Sequence, residues 1–183
     1  MILQAGLIVN KLPIILLMLL LCNTILHAQQ FLEKNGEISF FSEAPLENIS
    51  AVNKKVSALY DAKTEDLIFR LKITDFVFPK ALMQEHFNEN YLESDLYPKS
   101  TFIGKVLEIK ENQALVQGDL KIHGKTNKIV VEGFLIKEEG FVTIKSDFSI
   151  KLEDYNIRIP KLVMYKIAET IDITVNIKLK EIK

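Results

Sequence analysis

The sequence predicts an all-β fold, an antiparallel β-barrel of about eight strands with one or two short helices. Much of the chain after residue 36 consists of short segments in which apolar and polar residues alternate, the period of a half-buried strand. Polar turn residues separate these segments at fairly even intervals, which is typical of antiparallel barrels. Two stretches interrupt the pattern, and the first of them has a helical period.

The first half of the chain contains three predicted strands. Glu37–Ser42 is the first, and Leu46–Val52 after it is compatible with either a helical turn or irregular chain. The second strand is therefore predicted only for Val56–Tyr60. The third follows a polar turn, and its apolar face consists of Leu67, Phe69, Leu71 and Ile73.

The stretch from Phe76 to Phe102 differs from its surroundings because its apolar residues follow a helical spacing. A helix is predicted for Ala81–Tyr91, with an apolar stripe formed by Leu82, Met83, Phe87 and Tyr91. The same stretch contains His86 and several carboxylates. Because regular strands lie on both sides of it, we expect the apolar face of this helix to close one end of the barrel.

Five strands are predicted in the second half of the chain, at Thr101–Ile109, Ala114–Ile122, Ile129–Ile136, Val142–Leu152 and Ile171–Lys180. Gly124–Lys128 is predicted to be a turn, and the alternation before it places His123 on the polar side of its strand. Asp154–Thr170 is irregular. Its short apolar stripe, Leu162–Ile167, is expected to cover an end of the barrel.

The N-terminus has the pattern of a secretory signal peptide. Lys11 precedes an apolar run from Leu12 to Leu26, and Ala28 offers a cleavage point. Lipidation at Cys22 is the less favoured interpretation, because Leu21 before it is large. We expect residues 1–28 to be removed and residues 29–183 to form a single periplasmic or secreted domain, with no membrane span after signal removal.

The remaining chain has the size and composition of one folded domain. A domain of about 150 residues buries roughly 70% of its unfolded surface, so one hydrophobic core is expected. Residues 29–183 contain no cysteine, which excludes disulfides as a source of stability. The chain has 23 Lys and Arg against 24 Asp and Glu, and this near balance gives no electrostatic basis for binding nucleic acid.

Three groups of residues, taken in order, carry a resemblance to a known family. They are Phe76-x-Phe78 with Ala81–Phe87, then Tyr97-Pro98-x-x-Thr101-Phe102, then Gly118–Gly124 with Thr126. Together they resemble the YceI-like family, over essentially the whole chain after the signal. This chain departs from the family's usual opening, which has a His after the first strand, at Ile38–Glu47. The resemblance implies an exported, lipocalin-like barrel whose apolar channel binds a long polyisoprenoid chain.

The inward faces of the predicted strands and helix supply the candidate binding residues. Ala58, Ala114, Gly118 and Gly133 are small inward residues that can leave room inside the barrel. The apolar partner expected there is a polyisoprenoid or an isoprenoid quinone. The residues expected to line an apolar channel are Phe40, Leu67, Phe69, Leu71, Met83, Phe87, Phe102, Val116, Phe148, Ile150, Ile173 and Val175. The alternative is a solid core in a ligand-free interaction or stress-response module, whose surface, for example the His123 hairpin, meets another exported protein. The oligomeric state is open under both interpretations, and a homodimer is one alternative.

No catalytic pattern is present after residue 28. That part of the chain has no Gly-x-Ser-x-Gly elbow, no cysteine nucleophile and no phosphate-binding glycine loop, so no enzymatic role and no cofactor are predicted. His86 and His123 are the candidates for polar contacts to a ligand. With Glu85, Glu89 or Asp119 they could form a metal site, but their spacing matches no metal motif. Hydrogen-bonded structural histidines are therefore the favoured interpretation, and no metal is expected.

Overall fold

The computed structural model describes residues 29–43, 48–158 and 168–182. They form a closed antiparallel barrel of eight long strands with one short α-helix, which confirms the predicted fold class. The strands are β1 Gln30–Ser42, β2 Ile49–Asp61, β3 Asp66–Lys72, β4 Phe76–Val77, β5 Lys99–Lys110, β6 Gln113–Ile122, β7 Lys125–Glu138, β8 Phe141–Lys151 and β9 Thr170–Ile182.

Each long strand pairs with the next long strand along the chain. β1 also pairs with β9, with Phe40 opposite Ile173, and this last pairing closes the barrel. The two-residue strand β4 lies outside the ring and pairs only with β2, through Val52 opposite Val77. The barrel is therefore a meander, in which strands that pair in space also follow one another in the sequence, apart from β1 and β9.

The connections divide the barrel into two ends. At the hairpin end, short turns join β2 to β3, β5 to β6, and β7 to β8. The helical end carries the other connections, including the helix α1 (Ala81–His86), which continues as a π-helical turn over Phe87–Tyr91. A 3₁₀ turn at Leu152–Tyr155 follows β8 at the same end.

β1 and β2 both begin several residues before their predicted starts. β1 begins at Gln30 and not at Glu37. The prediction missed its first residues because a register shift near Gly36 interrupts the alternation of apolar and polar residues. β2 begins at Ile49, so neither the helical turn nor the irregular chain considered for Leu46–Val52 is correct from that residue onward. Its buried positions include the small Ala51 and the polar Asn53, whose Nδ2 donates to the Lys72 carbonyl oxygen at 3.0 Å, and neither residue marks an apolar face in the sequence.

The turn predicted for Gly124–Lys128 is also wrong. β7 begins at Lys125 and pairs with β6 from its first residue, so the connection is only His123 and Gly124. Both have positive φ, 49° and 74°, as a two-residue hairpin turn requires. The first four residues of β7 are polar and resemble a loop in the sequence. The predicted signal peptide and the Leu162–Ile167 stripe lie outside the described residues.

Apolar side chains fill the interior at the hairpin end. Val56, Tyr60, Val142 and Leu179 are each 0% exposed. The Tyr60 hydroxyl donates to the Glu65 carboxylate, and burial, with that carboxylate beside it, raises the pKa of the Tyr60 phenol. This end of the barrel is therefore closed by side chains, and any free volume must lie toward the helical end. No helix among the described residues is long and apolar enough to cross a membrane.

One of the small inward residues does not leave room for a ligand. Gly118 pairs with Gly104, and the ring of Phe102 lies against both. A Cβ atom added at Gly118 would lie 2.5 Å from Cζ of Phe102 and 2.7 Å from the carbonyl oxygen of Ile103. The glycine pair therefore accommodates the Phe102 ring, and the expectation that Gly118 opens the interior is corrected.

Replacing Gly118 with alanine should destabilise the barrel. The added methyl group would press on backbone as well as on Phe102, so we expect the free energy of unfolding to fall by about 1–3 kcal/mol, the usual cost of overpacking. Urea unfolding measures this change. Gln117→Ala, the neighbouring position with its side chain on the other face, should stay within about 0.5 kcal/mol of the parent. Equal stability of the Gly118→Ala variant and the parent would contradict the tight contact.

Candidate functional site

The interior between the filled hairpin end and the helical end holds a cavity of about 220 Å³. Its walls are almost wholly apolar. On β7 the lining residues run from Ile129 to Leu135, a rise of about 20 Å at the usual spacing of a strand. Because this modest volume extends over that length, the cavity is a narrow channel.

All twelve residues predicted to form an apolar channel line this cavity. They are Phe40, Leu67, Phe69, Leu71, Met83, Phe87, Phe102, Val116, Phe148, Ile150, Ile173 and Val175. The strands place them there because alternate side chains of each strand point inward. Their contact with a ligand stays a prediction. The structure adds inward residues from the same alternation that the prediction omitted, among them Ile38, Ile129, Val131, Ile144 and Ile171.

Four phenylalanines form a cluster at the helical end of the cavity, hereafter the phenylalanine cluster. Its members are Phe40, Phe76, Phe78 and Phe87. Phe40 and Phe87 are stacked with ring centroids 5.5 Å apart, and Phe78 lies 4.9 Å from Phe87. Phe76 contacts both Phe40 and Phe87 edge to face. The prediction missed Phe76 and Phe78, although the Phe-x-Phe alternation directly before the helix was a signal for two rings on one face.

The helical segment covers the cavity with one apolar face. Met83, Phe87 and Tyr91 are spaced four residues apart and all line the cavity. Leu82, which the prediction included in this stripe, is 63% exposed, because it lies about 100° around the helix from Met83. Burial raises the pKa of the Tyr91 phenol, so this hydroxyl brings no charge to the site.

Charged side chains stay outside the cavity. Among the residues that the structure describes, Arg70, Glu132 and Lys145 border it, and all three are exposed. Their strand neighbours Phe69, Gly133 and Ile144 occupy the inward positions, so these three side chains project from the outer face. The lining therefore favours an uncharged, apolar guest.

His123 joins three segments at the helical end. Its Nδ1 lies 3.1 Å from the Tyr155 carbonyl oxygen, its Nε2 lies 2.8 Å from Oε2 of Glu93, and its ring meets Tyr97 edge to face at 4.5 Å. Its side chain is 9% exposed. The positive φ takes His123 out of the strand alternation, so the prediction of a place on the polar strand face is corrected.

Neither histidine is among the residues that line the cavity. His86 is half-buried on α1. Both ring nitrogens of His123 face oxygen atoms of the protein, an arrangement that is consistent with a hydrogen-bonded structural histidine. In the described part of the chain, no group of three or more His, Cys, Asp or Glu residues is placed to hold a metal ion.

The family model of the YceI-like domain matches residues 27–179. The chain belongs to this family. No curated protein sequence matches this YceI-like chain.

Solved structures share the fold of this YceI-like barrel. A polyisoprenoid binding domain from Saccharophagus degradans, implicated in plant cell wall breakdown, has a TM-score of 0.73 at 12% identity, covering 85% of this chain and 99% of that one. BcnA of Burkholderia cenocepacia has a TM-score of 0.70 at 16% identity, covering 78% and 95%. The Campylobacter jejuni YCEI protein has a TM-score of 0.63 at 17% identity, covering 77% and 89%. At these identities the likeness establishes the fold alone.

The two histidines of this YceI-like domain should differ in their effect on stability. His123→Ala removes both hydrogen bonds and the Tyr97 contact, so we expect a loss of about 1–3 kcal/mol in the free energy of unfolding. The matched variant His86→Ala should change it by less than about 0.5 kcal/mol, the usual range for positions outside such networks. Chemical denaturation of both variants tests this, and similar losses in the two would show that His123 does not join these segments.

Proposed function

We propose that this protein is a non-enzymatic binding protein that holds an apolar chain, such as a polyisoprenoid or the tail of an isoprenoid quinone, inside its barrel. The observation that carries the proposal is the narrow interior cavity, with apolar walls and charged residues only at its outer border. A site of this kind offers burial but no group poised for acid–base or nucleophilic chemistry. The proposed function is therefore retention of a lipid.

The energetics of apolar burial are sufficient for this task. At about 0.8 kcal/mol per buried CH₂ group, one isoprene unit contributes roughly 3–4 kcal/mol before costs are deducted. A micromolar complex needs about 8 kcal/mol net. Burial of a few units can offset the loss of freedom on binding, so a charged headgroup contact is not required.

The comparisons support the same class of ligand. One structural neighbour is described as a polyisoprenoid binding domain, and the family match extends over most of this chain. The low identity to that neighbour carries no residue-level contact across, so the ligand assignment rests on the cavity of this chain. The N-terminal pattern adds the proposal that the protein acts after export, in the periplasm or outside the cell.

The direct test is to purify the full chain from its own host under mild conditions and to examine it by native mass spectrometry and organic extraction. We expect a mass increment that matches an apolar lipid and disappears on extraction. Protein that is folded and free of lipid, and that does not take up farnesol added in solution, would contradict the proposal and favour the ligand-free interaction module.

A carboxylate placed inside the cavity should abolish much of the affinity. Met83→Asp puts a charge against apolar walls and an apolar guest, so we expect Kd for a fluorescently labelled farnesol to rise at least about tenfold, or about 1.4 kcal/mol. Leu82→Asp is the matched control, because it makes the same change one residue earlier at an exposed position on the same helix. Fluorescence titration measures both. Equal affinities of the two variants would place the guest elsewhere.

A further inference from the structure

The seam between β7 and β8 is paired over only part of its length. The ladder runs from Glu138 opposite Phe141 to Phe134 opposite Lys145 and then stops. Within the described chain, no ladder pair joins β7 before Phe134 to β8 after Lys145, although both strands continue, paired to β6 and β9 on their other sides. The barrel wall therefore has a gap here, which we call the β7–β8 window.

Side-chain hydrogen bonds mark both ends of this window. At the lower end of the window, the end nearer the hairpin end of the barrel, Ser146 Oγ donates to the Glu132 carbonyl oxygen at 2.7 Å. At the upper end of the window, the end nearer the helical end of the barrel, Asn127 Nδ2 donates to the Asp154 carbonyl oxygen at 2.6 Å. The window is thus a bounded opening, because each of these bonds crosses from the β7 side to the β8 side where the backbone ladder does not.

Gly133 lies where the window begins, next to the last ladder pair of Phe134 and Lys145. A Cβ atom at this position would lie 2.5 Å from the Lys145 carbonyl oxygen and 3.0 Å from Cβ of Ser146. The backbones of β7 and β8 therefore approach closely at this point, where only glycine fits. Beyond it the ladder stops.

The window connects the cavity with apolar surface outside the barrel. The inward side chains that flank it, Ile129 and Val131 on β7 and Phe148 and Ile150 on β8, all line the cavity and are only partly buried. On the outer face of β7, Val130 is 55% exposed. Apolar groups thus continue from the cavity wall to the outer rim of the same opening.

We propose that the β7–β8 window is a lateral portal, through which the apolar chain passes sideways into and out of the cavity. This inference rests on the proposed function, since it takes the same lipid as the guest. The portal separates the route of exchange from the phenylalanine cluster, so the helical cover need not open for the guest to leave. Closing the portal should slow entry and release together and leave the equilibrium affinity unchanged.

Cross-linking across the window tests the portal. If the ladder register continued, Val130 would lie opposite Ser149. The experiment uses the full chain with three substitutions, Cys22→Ser, Val130→Cys and Ser149→Cys. A short bifunctional thiol reagent links the two introduced cysteines, and mass spectrometry verifies the link. The matched control is the pair Ile136→Cys and Thr143→Cys, which lies on the same two strands where the ladder is intact.

The readout is the release rate of bound fluorescent farnesol, measured by stopped flow with excess unlabelled farnesol, together with its Kd. We expect the window cross-link to slow release at least about tenfold, an added barrier of about 1.4 kcal/mol, with Kd unchanged and the control cross-link without effect. Equal release rates in the two cross-linked proteins would overturn the portal. Failure of every variant and of the parent to bind the probe would instead contradict the proposed function.

A pair of serine variants tests the portal without a cross-link. Ser146→Ala removes the hydrogen bond at the lower end of the window, so we expect release to become about fivefold faster, the factor that corresponds to one typical hydrogen bond. Ser149→Ala is the control, because the Ser149 hydroxyl donates to Asp172 on β9, so this variant removes no hydrogen bond across the window. It should leave the release rate unchanged. Identical release from both serine variants would count against a gate at this seam.

Discussion

The ring of eight long strands determines the width of the interior, and the candidate site depends on that width. An eight-stranded barrel is just wide enough for its own side chains or for one small ligand. Each inward position therefore either fills the space or leaves part of it free. The pairing of β1 with both β2 and β9 completes the ring of strands, so outside the β7–β8 window the side chains decide how much of the interior is free.

The inward side chains fill the interior in one half of the barrel and leave part of it free in the other. At the hairpin end, Tyr60 and the aliphatic side chains around it are fully buried. In the middle, the Phe102 ring takes the room that the Gly104 and Gly118 pair provides. Toward the helical end, the phenylalanine cluster and Met83 form a cover over space that the strands do not fill. The cavity is therefore a consequence of where large side chains end along the barrel axis.

Structural features that follow from the alternation of apolar and polar residues could be predicted from the sequence. Features that follow from contacts between distant segments could not. The twelve lining residues could be found because every second residue of a regular strand shares a face. The start of β2 could not, since Ala51 and Asn53 carry no apolar signal, and the polar start of β7 resembled a loop.

Two further features could not be predicted from the sequence, namely the contacts of His123 and the β7–β8 window. The first depends on a turn conformation that brings Glu93 and Tyr155 together. The second depends on which backbone groups of two strands fail to meet, and residue types in either strand do not encode that directly.

The meander order of the strands has a consequence for how the chain folds. Seven of the eight seams of the ring join strands that follow one another in sequence, and only the β1–β9 seam joins the two ends of the domain. Local hairpins cost little loop entropy, whereas that seam must bring distant segments together. We expect the hairpins to form early and the β1–β9 seam to close last. Until it closes, β1 and β9 each present an unpaired edge along their length, whereas the unpaired backbone of the native barrel is confined to the β7–β8 window. The folding intermediate is therefore more exposed to strand-mediated aggregation than the native barrel.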